Sequence, residues 1–138
     1  MLVNVMRLLD FIIAEDIRRE IGNKVSVMGI FGEDIVLSPS PTEWPIGLHI
    51  GIFIRVFIDV TDKIPKRFLI KISLEGEKVA QFDGVITAEN KIKNLILPLV
   101  ANPLPIPKEG MLKFNLQLLY EDEVLLEENN EIEVRVTH

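Results

Sequence analysis

The sequence contains no cysteine and only two histidines, His49 and His138. Without cysteine there is no disulfide framework, no cysteine-ligated zinc site and no thiol nucleophile. A serine nucleophile needs a neighbouring base, usually histidine, and neither Ser38 nor Ser40 lies in a Gly-x-Ser-x-Gly motif. His49 is expected at an exposed position near the start of a strand. The sequence therefore argues against a serine or cysteine hydrolase.

Glycine-rich and basic motifs are also missing. Gly29 and Gly32 are too sparse for a phosphate-binding or dinucleotide-binding loop, so no cofactor is predicted. The formal net charge is −6, and the densest basic group along the chain, Lys63, Lys66 and Arg67, is explained by a solvated turn. Nucleic-acid binding requires grouped lysines and arginines, so nucleic acid is not an expected partner.

No apolar run approaches the ~20 residues of a membrane-spanning helix. The longest stretch without charge, residues 94–107, contains four prolines. The first 16 residues lack the basic start, the long apolar stretch and the small-residue cleavage site of a signal peptide. We therefore expect no membrane span and a cytoplasmic location.

The clearest positive signal is an alternation of apolar residues along residues 48–60. Every second residue there is Leu, Ile or Val, a period typical of a half-buried β-strand. The same period returns in residues 68–74, 112–120 and 132–136. Four such runs separated by turn residues predict an all-β protein. We expect an antiparallel β-sandwich, Ig-like or C2-like, of about eight strands in one domain over residues 1–138.

The alternation also predicts the core and the connections. The expected core residues are Ile50, Ile52, Ile54, Val56, Phe68, Ile70, Ile72, Phe114, Leu116 and Leu118. Gly22-Asn23 predicts a hairpin turn, and Asp83-Gly84 and Asn129-Asn130 predict further turns. Residues 38–41 predict a crossing between the sheets, and Pro98, Pro103, Pro105 and Pro107 predict a stiff crossover after a strand over residues 92–99.

The N-terminal segment allows two interpretations. Leu9, Ile13, Ile17 and Ile21 recur at helical spacing, whereas the β-branched and aromatic residues around Phe11 favour extended structure. We prefer a strand over residues 3–14, a bend at Glu15-Asp16 and a short strand ending at Ile21. A helix within residues 6–20 is the alternative.

Carboxylates at predicted strand ends are weak candidates for a metal site. Glu33, Asp34, Asp59 and Asp62 lie there, and loops at one end of a sandwich converge on calcium in some proteins. However, aspartate is also favoured in turns because it bonds nearby backbone groups, and no Asp-x-Asp-x-Asp-Gly loop is present. Solvated turn residues are the preferred interpretation.

Three aromatic residues are candidates for an interaction surface. Phe53 and Phe57 fall on the nominally polar face of the strand over residues 48–60, so either a loop or a partner covers them. Trp44 is either exposed or a plug that seals one end of the sandwich. Residues 24–37 offer few polar positions on either face. These features favour self-association as a homodimer, or a place in a larger assembly, over burial by the proline-rich crossovers.

One resemblance covers roughly the first 40 residues. Ala14-Glu15-Asp16-Ile17-Arg18, followed by Gly22-Asn23-Lys24-Val25-Ser26 and Gly29-Ile30-Phe31, resembles the start of an uncharacterised bacterial family of small β-rich proteins. The resemblance implies a strand at the N-terminus and a polar pair across the hairpin, from Glu15 or Asp16 to Arg18 or Lys24. It implies no activity.

The expected function is a non-catalytic binding or assembly module that contacts a protein partner or a second copy of itself. This expectation follows because no residue pattern describes a reaction. A calcium-dependent binding domain, or a carboxylate-based hydrolase that uses Glu33, Asp34, Asp59 or Asp62, is the alternative.

Overall fold

The computed structural model describes residues 5–59, 63–87 and 93–137. These residues form nine strands and contain no helix, and hence none long and apolar enough to cross a membrane. The strands are β1 (Val5–Glu20), β2 (Lys24–Ile30), β3 (Asp34–Leu37), β4 (Ile46–Asp59), β5 (Arg67–Leu74), β6 (Glu77–Val85), β7 (Asn94–Ile106), β8 (Gly110–Tyr120) and β9 (Glu123–Val136). The predicted all-β sandwich is confirmed.

Two sheets pack face to face. The four-stranded sheet has the order β2-β1-β4-β7 and the five-stranded sheet the order β3-β9-β8-β5-β6. All pairs are antiparallel except β3 with β9, which is parallel. The proline-containing segment that follows β3 leads from the five-stranded to the four-stranded sheet. This crossing is the one that the sequence predicts.

The core lies between the two inner faces. All ten predicted core residues are buried, and none is more than 9% exposed. They are joined by residues of the other strands, among them Ile13, Ile58, Leu74, Leu104, Ile106, Leu112, Ile132 and Val134. Burying an aliphatic or phenylalanine side chain contributes roughly 1.5–3 kcal/mol. The alternating runs are therefore the main source of the sandwich's stability.

The N-terminal segment is a strand throughout its described part, so the helix alternative is wrong. At the predicted bend the strand continues and changes partner: Ala14 is the last β1 residue paired with β4 and the first paired with β2. Leu9, whose spacing suggested a helix, is the extra residue of a β-bulge opposite β4 and is 37% exposed.

Two predicted turns lie inside strands. Gly84 belongs to β6, and a Cβ there would lie 2.5 Å from the ring of Phe68, so glycine is needed for core packing and not for a turn. Asn129 and Asn130 belong to β9. The Asn130 amide nitrogen donates to the Phe11 carbonyl at 2.7 Å, a hydrogen bond that joins the two sheets.

The predicted proline crossover is a strand. β7 runs through Pro98, Pro103 and Pro105 and pairs with β4 along its length, with a bulge around Asn102. β7 is the edge of the four-stranded sheet, so one side of its backbone needs no partner strand. Proline lacks the N–H of other residues and is tolerated at such an edge.

Candidate functional site

The β1–β2 hairpin crosses the outer face of its own sheet. Its turn has positive φ at Gly22 (83°) and Asn23 (59°), as the Gly-Asn pair predicts. Gly51 lies on the outer face of β4, where a Cβ would be 2.8 Å from Ile17 Cγ1 and 3.0 Å from the Asp16 carbonyl carbon. Because glycine has no side chain, the β1 backbone can pass directly over β4 at this point.

Asp16 holds this crossing in place. Its Oδ1 lies 2.9 Å from His49 Nε2 and accepts a hydrogen bond of 2.9 Å from the Ile17 backbone N–H. The hydrogen bond with His49, then that from Ile17, lowers the pKa of the Asp16 carboxyl below its ordinary value of 3.8. Arg18 adds a longer contact of 3.5 Å. Asp16 and Arg18 lie on the same strand, so their contact is not the pair across the hairpin that the resemblance implies; the side-chain bond that does cross the hairpin joins Ser26 of β2 to Glu20 of β1.

A pocket of about 280 Å³ opens where the hairpin ends above β7. We call it the hairpin groove; it is lined by Arg19, Glu20, Asn23, Lys24, Val25, Ile96 and Pro98. Ile96 is 40% exposed and Pro98 is half-buried, and together they form an apolar wall on the outer face of β7. The hairpin supplies the polar rim opposite.

The rim carries more positive than negative charge. Glu20 Oε1 accepts a hydrogen bond from the Ser26 hydroxyl at 3.1 Å. Neither Arg19 nor Lys24 makes an ion pair with a carboxylate of the described residues. An apolar wall that faces a few convergent polar groups is the usual composition of a binding pocket.

The aromatic candidates lie in three different settings. Phe53 is half-buried on the outer face of β4, between Ile12 of β1 and Pro98 of β7 in the sheet register. Phe57, on the same face, has the Arg7 guanidinium 5.4 Å from its ring centroid. Trp44 lies in the connection between β3 and β4 and is 36% exposed. Phe53 thus lies one strand from the wall of the hairpin groove.

The acidic candidates do not converge in the described structure. Asp34 begins β3 in the five-stranded sheet, and its Oδ2 accepts a hydrogen bond from Arg135 Nε at 2.6 Å. Glu33 is exposed just before β3, whereas Asp59 ends β4 in the other sheet. Asp62 lies outside the described residues. Residues 5–59, 63–87 and 93–137 contain no group of three or more His, Asp or Glu placed to hold a metal ion.

The outer face of the five-stranded sheet carries a row of polar side chains on β8 and β9, beside exposed apolar residues elsewhere on its strands: Val36, Val85, Met111 and Val124. Asn115 Nδ2 on β8 donates to Asn129 Oδ1 on β9 at 2.9 Å, and Gln117 donates to Glu127. The hydrogen bond from Gln117, then that from Asn115, lowers the pKa of the Glu127 carboxyl below its ordinary value. This row of amides and carboxylates gives the sheet a hydrated surface.

A second pocket, of about 230 Å³, lies beside this row. We call it the lysine pocket; its side chains include Lys71, Ser73, Lys78, Lys113 and Asn115. These lysines form no cluster along the sequence because they belong to three different strands. The alternation of each strand predicts that its lysine points outward. The order of the strands, which places the three lysines side by side, cannot be read from the sequence.

No protein-family model and no curated protein matches the chain. The resemblance of its N-terminal residues to an uncharacterised bacterial family therefore stays a prediction. Any functional conclusion depends on the surfaces described above.

Proposed function

We propose that the protein is a non-catalytic binding module that holds an extended segment of a partner protein, apolar and acidic, in the hairpin groove. The observation that supports this most strongly is the pairing of an exposed apolar wall with two cations that have no ion-pair partner in the described structure. The cytoplasm is the proposed location, based on the cysteine-free sequence.

The wall favours an extended ligand. Ile96, Pro98 and Val100 occupy every second position of β7 and share its outer face, with Ile96 and Val100 40% and 46% exposed. Alternate residues of a strand repeat every ~6.6 Å. A partner segment in the extended conformation presents apolar side chains at the same spacing, so its side chains match this row.

The rim favours an acidic ligand. Arg19 and Lys24 face the wall, while Glu20 is already engaged by Ser26. A carboxylate on the partner would form charge-assisted hydrogen bonds with Arg19 or Lys24, which are stronger than neutral ones. The apolar wall thus provides contact area for the ligand, and the cationic rim provides the preference for a negatively charged ligand.

The test is a selection of random peptides displayed on cells, with the purified full chain as bait. We expect enriched peptides to combine alternating apolar residues with Asp or Glu, and to lose binding to the Arg19→Glu/Lys24→Glu variant. The Lys66→Glu/Lys108→Glu variant, which changes net charge equally away from the groove, should still bind them. Enriched peptides without acidic residues, or equal binding by both variants, would contradict the proposal.

A second copy of the chain is the competing occupant. Light scattering of the purified protein measures the oligomeric state directly. A dimer that dissociates in the Ile96→Glu variant would assign the groove to self-association and overturn the separate partner. A monomer, or a dimer unaffected by Ile96→Glu, leaves the groove accessible to the partner segment.

A further inference from the structure

We propose that the lysine pocket is a binding site for a tetrahedral oxyanion, a phosphate or sulfate group carried by a small molecule. The pocket lies on the outer face of the five-stranded sheet and is separate from the hairpin groove of the four-stranded sheet. It therefore goes beyond the proposed partner-binding function and does not depend on it.

The sheet register places three lysine residues around Ser73. Ser73 on β5 lies directly opposite Lys78 on β6 and opposite Lys113 on β8. Lys71, two residues before Ser73 on β5, projects from the same face. Directly opposed Cβ atoms are ~4.5–5.5 Å apart, a distance that a lysine side chain easily spans. All three lysines can therefore reach an anion seated over Ser73.

The β6 backbone also departs from regular pairing at this position. The register between β5 and β6 shifts between Ile72 and Ser73, so Val79 is an extra residue on β6. Such bulges bend a strand and re-aim the side chains beside them. Here the bulge directly follows Lys78, one of the residues that line the pocket of about 230 Å³.

The lysines of the pocket make no close ion pair with a carboxylate of the described residues. Within the described residues, Lys71, Lys78 and Lys113 make no ion pair, and Lys78 donates to the neutral Gln81 side chain. Three ammonium groups without an ion pair, within the width of three strands, concentrate positive charge locally in a chain of net charge −6.

Glu75 and Glu77, the acidic residues beside the β5–β6 turn, are directed away from the pocket. Glu75, at the β5–β6 turn, accepts a hydrogen bond of 2.6 Å from the Met111 backbone N–H. Glu77 precedes Lys78 on β6 and projects from the opposite face, because successive side chains of a strand alternate. Glu131 lies opposite Lys113 in the register of β8 and β9 without forming an ion pair.

The field of these lysines reaches other groups on the same face. The pKa of Glu127 is lowered first by its hydrogen bonds with Gln117 and Asn115 and, in smaller part, by the positive charges of Lys71 and Lys113. A carboxylate on β9 thus already interacts favourably with the lysines. An anion placed inside the pocket lies closer to all three and gains more from them.

The chemistry of the pocket fits a tetrahedral dianion. Lysine acts as a mobile point charge that suits phosphate and sulfate, and three lysines surround such an ion more completely than they surround a planar carboxylate. Ser73, whose side chain carries a hydroxyl, lines the same pocket as an additional polar residue. The volume exceeds that of one water several-fold, so part of the attached molecule also fits.

The experiment is an NMR titration of the purified full chain with inorganic phosphate and with sulfate, against chloride at equal ionic strength. We expect saturable shifts of the Ser73 and Lys113 amides with both oxyanions and not with chloride. The Lys71→Gln/Lys113→Gln variant should bind roughly tenfold more weakly, since two charge-assisted contacts are lost. The Lys93→Gln/Lys108→Gln variant, with the same charge change elsewhere, should bind like the unmodified protein.

Shifts of equal size with chloride, or unchanged binding by Lys71→Gln/Lys113→Gln, would overturn the proposal. Titrations with glucose 6-phosphate and glucose 6-sulfate then compare a phosphate ester with a sulfate ester. The compound that binds more tightly identifies which of the two groups the pocket prefers. If neither binds more tightly than the inorganic ion, the small-molecule part of the proposal is wrong. The Arg19→Glu/Lys24→Glu variant should retain oxyanion binding, so failure of the hairpin groove and failure of the lysine pocket are distinguishable.

Discussion

The two sheets have similar inner faces and different outer faces. Inside, both present rows of Ile, Leu, Val and Phe that are almost fully buried. Outside, the four-stranded sheet carries Phe53, Phe57 and Ile96, of which Ile96 lines the groove beside the hairpin, whereas the five-stranded sheet carries lysines, amides and carboxylates together with four exposed apolar side chains. Hydrophobic burial therefore explains how the sandwich forms, but the outer faces determine what each sheet can contact.

The largest expected effect separates the inner from the outer positions of one strand. Ile54→Asp on β4 places a charge in a fully buried site and should cost more than about 4 kcal/mol, enough to abolish cooperative folding. Arg55→Ala removes only an exposed contact with Asp10 (2.7 Å) and should cost at most about 1 kcal/mol. Urea denaturation followed by circular dichroism measures both. Equal tolerance at the two positions would show that the register is wrong.

The next effect tests the hairpin that covers the four-stranded sheet. Gly51→Ala places a methyl group 2.8 Å from Ile17 Cγ1 and 3.0 Å from the Asp16 backbone, and should cost about 1–3 kcal/mol. Gly32→Ala has no heavy atom within 4 Å and should change the free energy of unfolding by less than about 0.5 kcal/mol. Hydrogen exchange should accelerate in β2 for the first variant alone. Unchanged β2 protection would mean that the hairpin is not held by this contact.

A smaller effect tests the polar link between the sheets. Asn130→Ala leaves the Phe11 carbonyl without its side-chain partner and should destabilise the protein by about 1–2 kcal/mol. Asn129→Ala, one residue away and on the outer face, removes an exposed bond with Asn115 and should cost less than about 0.5 kcal/mol. Thermal unfolding compares the two variants. If Asn129→Ala is the more harmful, the outer polar row matters more than the inter-sheet bond.

Acid titration compares one carboxylate from each outer face. The folded-state pKa values of Asp16 and Glu127 lie below their ordinary values of 3.8 and 4.5. A lowered pKa stabilises the fold above the unfolded-state value, and this stabilisation is lost as the pH falls through the folded-state value. NMR titration should therefore find both midpoints below the ordinary values. Glu127→Gln should make stability less dependent on pH below about 4.5, and Asp16→Asn should do so below about 3.8.

The smallest effect concerns the acidic candidates from the sequence. Asp34 is bonded to Arg135 and Asp59 lies in the other sheet, so calcium should leave the melting midpoint unchanged. Ligands that bind only the folded state raise the midpoint. A large rise of the melting midpoint with calcium, but not with magnesium, would support the calcium-dependent alternative and place the binding site at the strand ends instead of on the outer faces.

The sequence predicts the fold well wherever burial alternates strictly. The runs around Ile54, Ile70 and Leu116 identify strands, register and core, because the period of two reflects the environment on both faces. Residues with strong turn preferences are misleading. Gly84 is needed because the Phe68 ring leaves no room for a side chain, and Asn130 donates to the Phe11 carbonyl of the other sheet. Both are long-range contacts, which a local sequence pattern does not reveal.

The two pockets could be predicted only in part. The outward positions of Lys71, Lys78 and Lys113 follow from alternation, but their convergence depends on the order β6-β5-β8. The hairpin groove depends on β1 crossing over Gly51, because this crossing brings Lys24 close to Ile96 of β7. The prolines of β7 predict a crossover and not a strand, so the sequence does not indicate this wall of the groove. Long-range pairing, and not composition, creates both sites.

The parallel pairing of β3 with β9 also limits how early the five-stranded sheet can form while the protein is being synthesised. Arg135 and Asp34 are bonded across 101 residues, so at typical translation rates β3 waits roughly 5–20 s for its partner strand to be made. The β1–β2 hairpin needs only neighbouring residues and can form early. While translation proceeds, Ile35, which is buried in the folded protein, remains without Val134 and the strand that covers it, and apolar segments exposed in this way favour association with other chains.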